Sequence, residues 1–507
     1  MSETHLAPRS LLVFGVALPL AAIIGYMVAT PHALTSQMLI GLVLCVLSIP
    51  IFLRWHHPLL IFTWNGCMTA FFLPGRPNVW MVIAGMSFGI TVLSCILNKD
   101  LKLQNVPSMT WPLLFLAFIV LVTAKLNGGG LRTLGGSSYG GKGYIFILAA
   151  IIGYFALSTL RIPAERAQLF AILFFLSAIT FVVSNLAYVL GPTFWFLFYA
   201  FPVEFALSQA AADFTPGESM TRIGGLGFGC MAVCNVLLLR YGVRGLLDVS
   251  RPWRIVLYFL AMAAGFFGGF RSTLVIIGLI FIIQFLLEGL HRTRYLLAVL
   301  LATVLGLGLL IPTSSKLPLS VQRVLTVFPF LEVDPVAKVN AQASVEWRVQ
   351  MWRVLLPEVR NYFFIGKGYR IDPTDLYLVQ ESVRRGLAQN YEGAIVAGDY
   401  HSGPLSTIIP FGIFGLLAFL WILAAGAKVL YRNWKFGAPE VKNINSFLFA
   451  IYITKVIFYF VVFGAFYQDL AFFLGIVGFS IALNGGMHQP AKEARPALAP
   501  ELLPAHA

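Results

Sequence analysis

The chain has 507 residues, of which 59% are hydrophobic and only 11% are charged, and its formal net charge is +14. A mean hydropathy of +0.83 excludes a soluble globular protein and predicts an all-α, polytopic membrane protein. The positive charge does not imply a nucleic-acid partner, because lysine and arginine accumulate in cytoplasmic loops beside anionic membrane lipid.

Apolar stretches of the length needed to cross a hydrocarbon core as a helix recur along the chain. We expect about 12–14 transmembrane helices, and the shortest candidates are 58–73, 111–125 and 470–485. The first apolar stretch, 11–29, has some features of a signal peptide. It is longer than the apolar region of a usual signal peptide, which favours an uncleaved membrane anchor. The predicted spans are 11–29, 37–53, 58–73, 79–97, 111–125, 143–160, 168–190, 222–239, 254–270, 271–289, 295–312, 403–425, 446–464 and 470–485.

A single long polar stretch interrupts this pattern, and we call residues 313–402 the long loop. It separates about eleven spans in residues 1–312 from the C-terminal membrane helices in residues 403–485. Residues 486–507 are rich in alanine and proline, which predicts a disordered cytoplasmic tail.

An amphipathic helix is predicted inside the long loop over 346–364. Its pattern indicates a helix that rests on the membrane surface or on the top of the bundle, with Pro357 as a kink or stop. One helical face would carry the apolar residues Trp347, Met351, Val354 and Leu355.

The distribution of basic residues predicts the topology. Lysine and arginine are concentrated in alternate connections, as at Arg240, Arg244 and Arg251, and are sparse in the short connections between them. Positively charged loops resist translocation, so both termini are expected in the cytoplasm and the long loop outside, in the periplasm of a Gram-negative cell. None of the five cysteines lies in the long loop, so neither a disulfide framework nor a cysteine metal site is implied.

Two arginines begin spans at this outer face, Arg222 in TRIGGLGFG and Arg271 in GGFRSTL. An arginine at membrane depth is costly unless a partner or ligand satisfies it. Interfacial snorkelling and an ordinary ion pair are the alternative interpretations. Two arginines on one face favour an anion site, because guanidinium groups donate paired hydrogen bonds to phosphate oxygens.

His401 ends the long loop immediately before a predicted span. A neutral imidazole there is a candidate proton acceptor for a substrate presented from the bilayer, although a lone loop histidine is often incidental. Asp399 is a candidate to orient the imidazole or contact substrate, and otherwise a solvated loop acid. Asp372 and Asp375 form too sparse a pattern to predict a metal, and we expect neither metal nor cofactor.

A glycine-rich outer segment spans residues 128–143, GGGLRTLGGSSYGGKG. Its spacing of glycines before a lysine resembles that of a phosphate-binding loop. Gly143 stands where serine or threonine should follow the lysine, and no strand precedes the segment, so a nucleotide site is rejected. Two interpretations remain: a flexible hinge, or a cradle for a lipid-linked diphosphate. Lys142 and Arg132 are the candidate substrate-binding cations of this segment.

The runs GGFRSTLVIIGLIFIIQFL, EWRVQMW, PEVRNYFFIGKGY and YHSGPLSTIIPFGIFGLL resemble the bacterial O-antigen ligase and O-antigen polymerase family over about residues 220–425. The resemblance implies a helical membrane glycosyltransferase of the C fold class in the inner membrane. Arg222, Arg271 and His401 would be its catalytic residues, and Arg348 a substrate-binding residue of the loop. Gly366 and Gly368 would belong to the loop's frame, and Ser402 stands where the family more often has asparagine.

Such enzymes move a glycan from undecaprenyl diphosphate to an acceptor hydroxyl without nucleotide sugar or metal. The acceptor is a lipid A core sugar for a ligase and the growing chain for a polymerase, and the sequence leaves both open. A lipid-linked oligosaccharide flippase is a further alternative, although transporters usually have repeated halves and charged residues at the membrane midplane.

Overall fold

The computed structural model describes residues 7–29, 34–98, 104–130, 138–214, 220 and 222–489. Within these residues the chain forms α-helices, five short 3₁₀ segments and no strand apart from two isolated bridges. The helices are α1 Ala7–Ala29, α2 Leu34–Thr63, α3 Val79–Leu97, α4 Pro107–Asn127, α5 Gly141–Thr159, α6 Ala164–Leu176, α7 Val182–Leu190, α8 Glu204–Phe214, α9 Gly224–Leu246, α10 Trp253–Phe266, α11 Arg271–Leu287, α12 Arg294–Thr313, α13 Leu319–Leu325, α14 Pro335–Asn361, α15 Pro373–Arg384, α16 Asn390–Val396, α17 Gly403–Phe436, α18 Lys442–Val461 and α19 Phe466–Asn484.

The predicted all-α membrane architecture is confirmed. In the described part of the chain, nine helical segments are long and apolar enough to cross a membrane, and three shorter apolar helices accompany them. The separate span predicted at 58–73 is not formed, because α2 continues to Thr63 and the chain then turns through Gly66. The predicted tail lies outside the described residues from residue 490 onward.

Helices α5 and α19 form the centre of the bundle and run parallel to each other. Phe146 contacts Tyr467 near their N-terminal ends, and the Ile162 amide donates to the Ala482 carbonyl at 2.8 Å near their C-terminal ends. We call the end of the bundle that carries the long loop the loop end, and the other the far end. Helix α12 has no buried residue, as expected for a helix that faces lipid on all sides.

The long loop folds into α13 to α16. The predicted amphipathic helix is part of α14, whose Met351 and Leu355 are buried against Tyr400 and Leu405. Val354 is not on this face, since it is 49% exposed. Pro357 does not stop the helix, which continues for four more residues to Asn361.

Helix α17 is broken near its start, where Gly412 has a φ of 65° and follows Pro410 by two residues. The segment 363–368 of the long loop covers the break. The amides of Lys367 and Gly368 donate to the Ile409 and Pro410 carbonyls at 2.8 and 3.0 Å. The Ile413 amide donates in turn to the Phe363 carbonyl at 2.7 Å. The loop therefore supplies the hydrogen bonds that the broken helix lacks, as buried irregular backbone requires.

Candidate functional site

A pocket of about 340 Å³ lies between the long loop and the helix ends, and we call it the loop-end pocket. It brings together the end of the long loop, the start of α9 and one face of α14. Its lining residues are Arg222, Asn340, Ala343, Ser344, Trp347, Arg348 and His401.

Four arginines from four elements meet around this pocket, and we call Arg222, Arg271, Arg323 and Arg348 the arginine cluster. Arg222 lies just before α9 and Arg271 is the first residue of α11, so both guanidinium groups stand where helices begin. Arg323 comes from the short helix α13 and Arg348 from the middle of α14. The long loop therefore adds two cations to the two that the bundle supplies.

Asn340 connects the cluster. Its Oδ1 accepts from Arg222 Nη2 at 2.6 Å and from Arg323 Nε at 2.8 Å. Arg323 also donates to Ser344 Oγ at 2.9 Å and to the Gly269 carbonyl. A planar guanidinium with this many fixed donors is held in one orientation.

The other two arginines have fewer contacts. Arg271 Nη2 donates to the Ala341 carbonyl at 3.0 Å. The Arg348 guanidinium lies 5.9 Å from the centre of the Phe463 ring. Both therefore keep donor groups that no described residue uses, since a guanidinium carries five N–H groups.

The charge of the cluster is not compensated by the described residues. No described carboxylate lies within ion-pair distance of any of the four guanidinium groups. Burial lowers the pKa of Arg222, Arg323 and Arg348, and repulsion from the neighbouring arginines lowers it further. All four stay charged at neutral pH because a guanidinium starts from so high a pKa. The pocket thus concentrates positive charge and favours an anion.

His401 forms one wall of the pocket. Its ring lies between those of Trp347 and Phe463, with centroid distances of 5.0 and 5.2 Å. Nδ1 lies 3.0 Å from Asp399 Oδ1, although the two groups are not angled as a hydrogen bond. The Asp399 side chain is 51% exposed, so it orients the imidazole only weakly in this arrangement.

The backbone at His401 is unusual for a residue other than glycine, with a φ of +48°. The neighbouring residues hold it there. Trp352 Nε1 donates to the Tyr400 carbonyl at 3.0 Å, and Tyr459 Oη donates to the Gly403 carbonyl at 2.6 Å. Strained backbone of this kind is often retained at functional sites.

The structure places Arg222, Arg348 and His401 in one pocket, with Arg271 in the same cluster and Asp399 beside His401. Arg323, Asn340 and Ser344 were not identified from the sequence. Arg323 lies in the segment LSVQRVL, and a basic residue among leucines and valines was the available signal.

Lys142 does not line this pocket, and Arg132 lies outside the described residues. Lys142 is exposed at the start of α5, beside glycines that make room for Tyr369. A Cβ at Gly140 would collide with the Tyr369 carbonyl, and one at Gly143 would lie 2.7 Å from its ring. Gly140 and Gly143 are therefore explained by packing against the long loop.

Asp372 has a structural role as the N-cap of α15, since its carboxylate accepts from the Thr374 amide at 2.8 Å. Across the described residues, no three histidine, cysteine, aspartate or glutamate side chains are grouped as metal ligands.

Residues 255–420 match the family model described as O-antigen ligase. This region is similar to an O-antigen ligase domain. The match spans Arg271, Arg323, Arg348 and His401, whereas Arg222 lies before it. No curated protein matches the chain. The O-antigen ligase domain, together with the apolar helices, indicates a multi-pass membrane enzyme of lipopolysaccharide or surface polysaccharide biosynthesis.

Proposed function

We propose that this protein transfers a glycan from undecaprenyl diphosphate to an acceptor hydroxyl at the periplasmic face of the inner membrane. The observation that carries the proposal is the meeting of four uncompensated arginines and His401 around one pocket. A diphosphate presents several charged oxygens, which guanidinium groups bind with short, charge-assisted hydrogen bonds.

The arginine cluster would hold the donor and stabilise its leaving group. When the bond between the anomeric carbon and the diphosphate oxygen breaks, negative charge develops on that oxygen. Cations that are already fixed in place stabilise this charge without reorganisation, and Asn340 provides such fixation for Arg222 and Arg323. Neither metal nor nucleotide sugar is needed for this role.

His401 would act as general base. Its Nε2 has no hydrogen-bond partner among the described residues, so it is available to remove the proton from the acceptor hydroxyl. The hydroxyl oxygen then attacks the anomeric carbon on the face opposite the diphosphate, which inverts the configuration. Asp399 would stabilise the resulting imidazolium at Nδ1, 3.0 Å away.

The direct test uses purified, detergent-solubilised protein with a lipid-linked glycan donor and candidate acceptors. We expect wild-type protein to join glycan to acceptor and release undecaprenyl diphosphate. Movement of donor across a bilayer without transfer to any acceptor would contradict the proposal and favour the flippase alternative.

The acceptor distinguishes a ligase from a polymerase, and we propose the ligase. In a deletion strain, a ligase predicts polymer that remains on its lipid carrier and is missing from the lipid A core. Single repeat units on the core would instead identify a polymerase.

Orientation is tested with reporter fusions. Fusions at 335 and 385 should be active only outside the cytoplasm, and fusions at 248 and 436 only inside. A cytoplasmic signal at 385 would contradict the proposal, because the arginine cluster would then face the wrong compartment.

A further inference from the structure

A second pocket of about 280 Å³ lies at the far end of the bundle, and we call it the far pocket. Arg161 and Thr159 place it beside the C-terminal end of α5, where Ile162 bonds to the end of α19. The chemistry of the loop-end pocket does not use it. Its lining residues are His56, Thr91, Ser94, Cys95, Gln104, Thr159, Leu160 and Arg161.

The lining of the far pocket is polar and contains hydroxyl and amide groups without partners. Thr91 is only 4% exposed, yet its Oγ1 has no hydrogen-bond partner among the described residues. Gln104 Oε1 is buried and equally unpartnered. Rotation of this amide by half a turn would direct its NH₂ group inward instead. Buried polar groups of this kind are costly unless water or a ligand satisfies them.

His56 supplies a further donor. Its Nδ1 lies 2.8 Å from Ser87 Oγ, and no other hydrogen-bond partner of the Ser87 hydroxyl is found in the described structure. With Ser87 as donor, the proton of a neutral imidazole resides on Nε2, for which the described residues provide no partner.

The charge of the lining residues indicates which kind of ligand the far pocket would bind. Arg161 lines the pocket, no acidic residue does, and no described carboxylate pairs with Arg161. A guanidinium, an imidazole N–H and a hydroxyl that converge on one space form a set of donors for an oxyanion. Basic pockets between helices at a membrane surface suit lipid phosphate groups.

We propose that the far pocket binds a phosphate group, with Arg161 as its charged anchor and Thr91 and His56 as neutral donors. The phosphate is carried either by an anionic phospholipid in the adjacent leaflet or by a soluble phosphate. The site is independent of glycan transfer at the other end of the bundle.

Cys95 allows a direct test, because it lines the far pocket while Cys67, Cys230 and Cys234 are buried. The full chain carrying Cys45→Ala is purified in detergent, and alkylation of Cys95 by a maleimide is timed. A Cys95→Ser variant shows which part of the alkylation signal comes from Cys95. The alkylation rate is compared after addition of phosphatidylglycerol, diacylglycerol, sodium phosphate, or sodium chloride at matched ionic strength.

We expect alkylation of Cys95 to be about tenfold slower when the phosphate compound is present at about ten times its own Kd. Protection by phosphatidylglycerol alone identifies a lipid headgroup, and protection by sodium phosphate as well identifies a site open to soluble phosphate. Equal protection by diacylglycerol, or no protection by either phosphate compound, would overturn the proposal.

Substitutions test the assignment of residues. Arg161→Gln should raise by about tenfold the ligand concentration that gives half-maximal protection, as loss of a charge-assisted hydrogen bond predicts. The matched control is Arg166→Gln, because Arg166 is exposed nearby and does not line the pocket. Thr91→Val, which keeps the side-chain shape, should weaken protection by a smaller factor and serves if Arg161→Gln fails to fold. Full protection in both variants would contradict the proposed site.

Discussion

The arginine cluster and Lys455 are two sets of cations in the described structure that differ in their partners. In the arginine cluster the described contacts are carbonyl, amide and hydroxyl oxygens and one aromatic ring, with no carboxylate. Between α18 and α19, Lys455 Nζ lies 2.8 Å from Asp469 Oδ1, and the other carboxylate oxygen accepts from the Ala465 amide at 2.9 Å. A cation that is neutralised internally supports the fold, whereas cations left uncompensated indicate a place for an anionic ligand.

The largest expected effect concerns His401, which sits beside the uncompensated cations. His401→Asn should lower the rate of glycan transfer by about 10²- to 10⁴-fold, the range typical of losing a general base. Asparagine is chosen because it tolerates the positive φ at this position better than alanine does. Transfer is measured with purified protein, and donor binding should persist. Undiminished transfer would remove the assignment of His401 as base.

Substitution of Lys455, the cation paired with Asp469, should lower the stability of the protein and leave the rate of transfer by the folded protein unchanged. Lys455→Met should destabilise the protein by about 3 kcal/mol, because it leaves Asp469 with an uncompensated buried charge. The double variant Lys455→Met, Asp469→Leu should recover most of this loss. Thermal unfolding in detergent measures both. A double variant no more stable than the single one would show that the ion pair is not the relevant interaction.

Within the arginine cluster, Arg323→Ala should weaken donor binding by about tenfold to a hundredfold, since it removes one charge of the cluster and one of the hydrogen bonds that hold Asn340 against Arg222. Arg323→Lys should restore binding only in part, because a point charge does not replace a planar guanidinium. Binding of undecaprenyl diphosphate to purified protein is the measurement. Arg353→Ala is the matched control, as Arg353 is exposed on α14. Equal losses in the two alanine variants would contradict a specific role.

The smallest effect is expected at Lys142. Lys142→Ala should change the transfer rate by less than about threefold, because an exposed surface charge away from the pocket contributes little. The same transfer assay measures it. A loss as large as that of Arg323→Ala would place the glycine-rich segment in the donor site, so that the arginine cluster would no longer account for donor binding by itself.

The sequence predicted most of the fold because crossing a membrane imposes a length and an apolar composition on each helix. It also predicted Arg222, Arg271 and His401 as site residues, since charged or titratable residues at the ends of apolar spans are conspicuous, whereas Arg348 came from the family resemblance. It missed Arg323 because the role of that residue depends on Asn340 and Gly269, and the latter is 54 positions away. Lys142 stays a prediction: a local glycine pattern suggested a ligand site, whereas in the structure Gly140 and Gly143 accommodate Tyr369.

The break in α17 has a consequence for building hybrid enzymes. Lys367, Gly368 and Phe363 complete the backbone hydrogen bonds around Gly412. The long loop and the first turns of α17 therefore form one structural unit. A chimera that exchanges the loop alone would pair foreign backbone with a broken helix shaped for another sequence. An exchange of the long loop with that of a similar protein should therefore succeed only when the transplanted segment continues through Ile413.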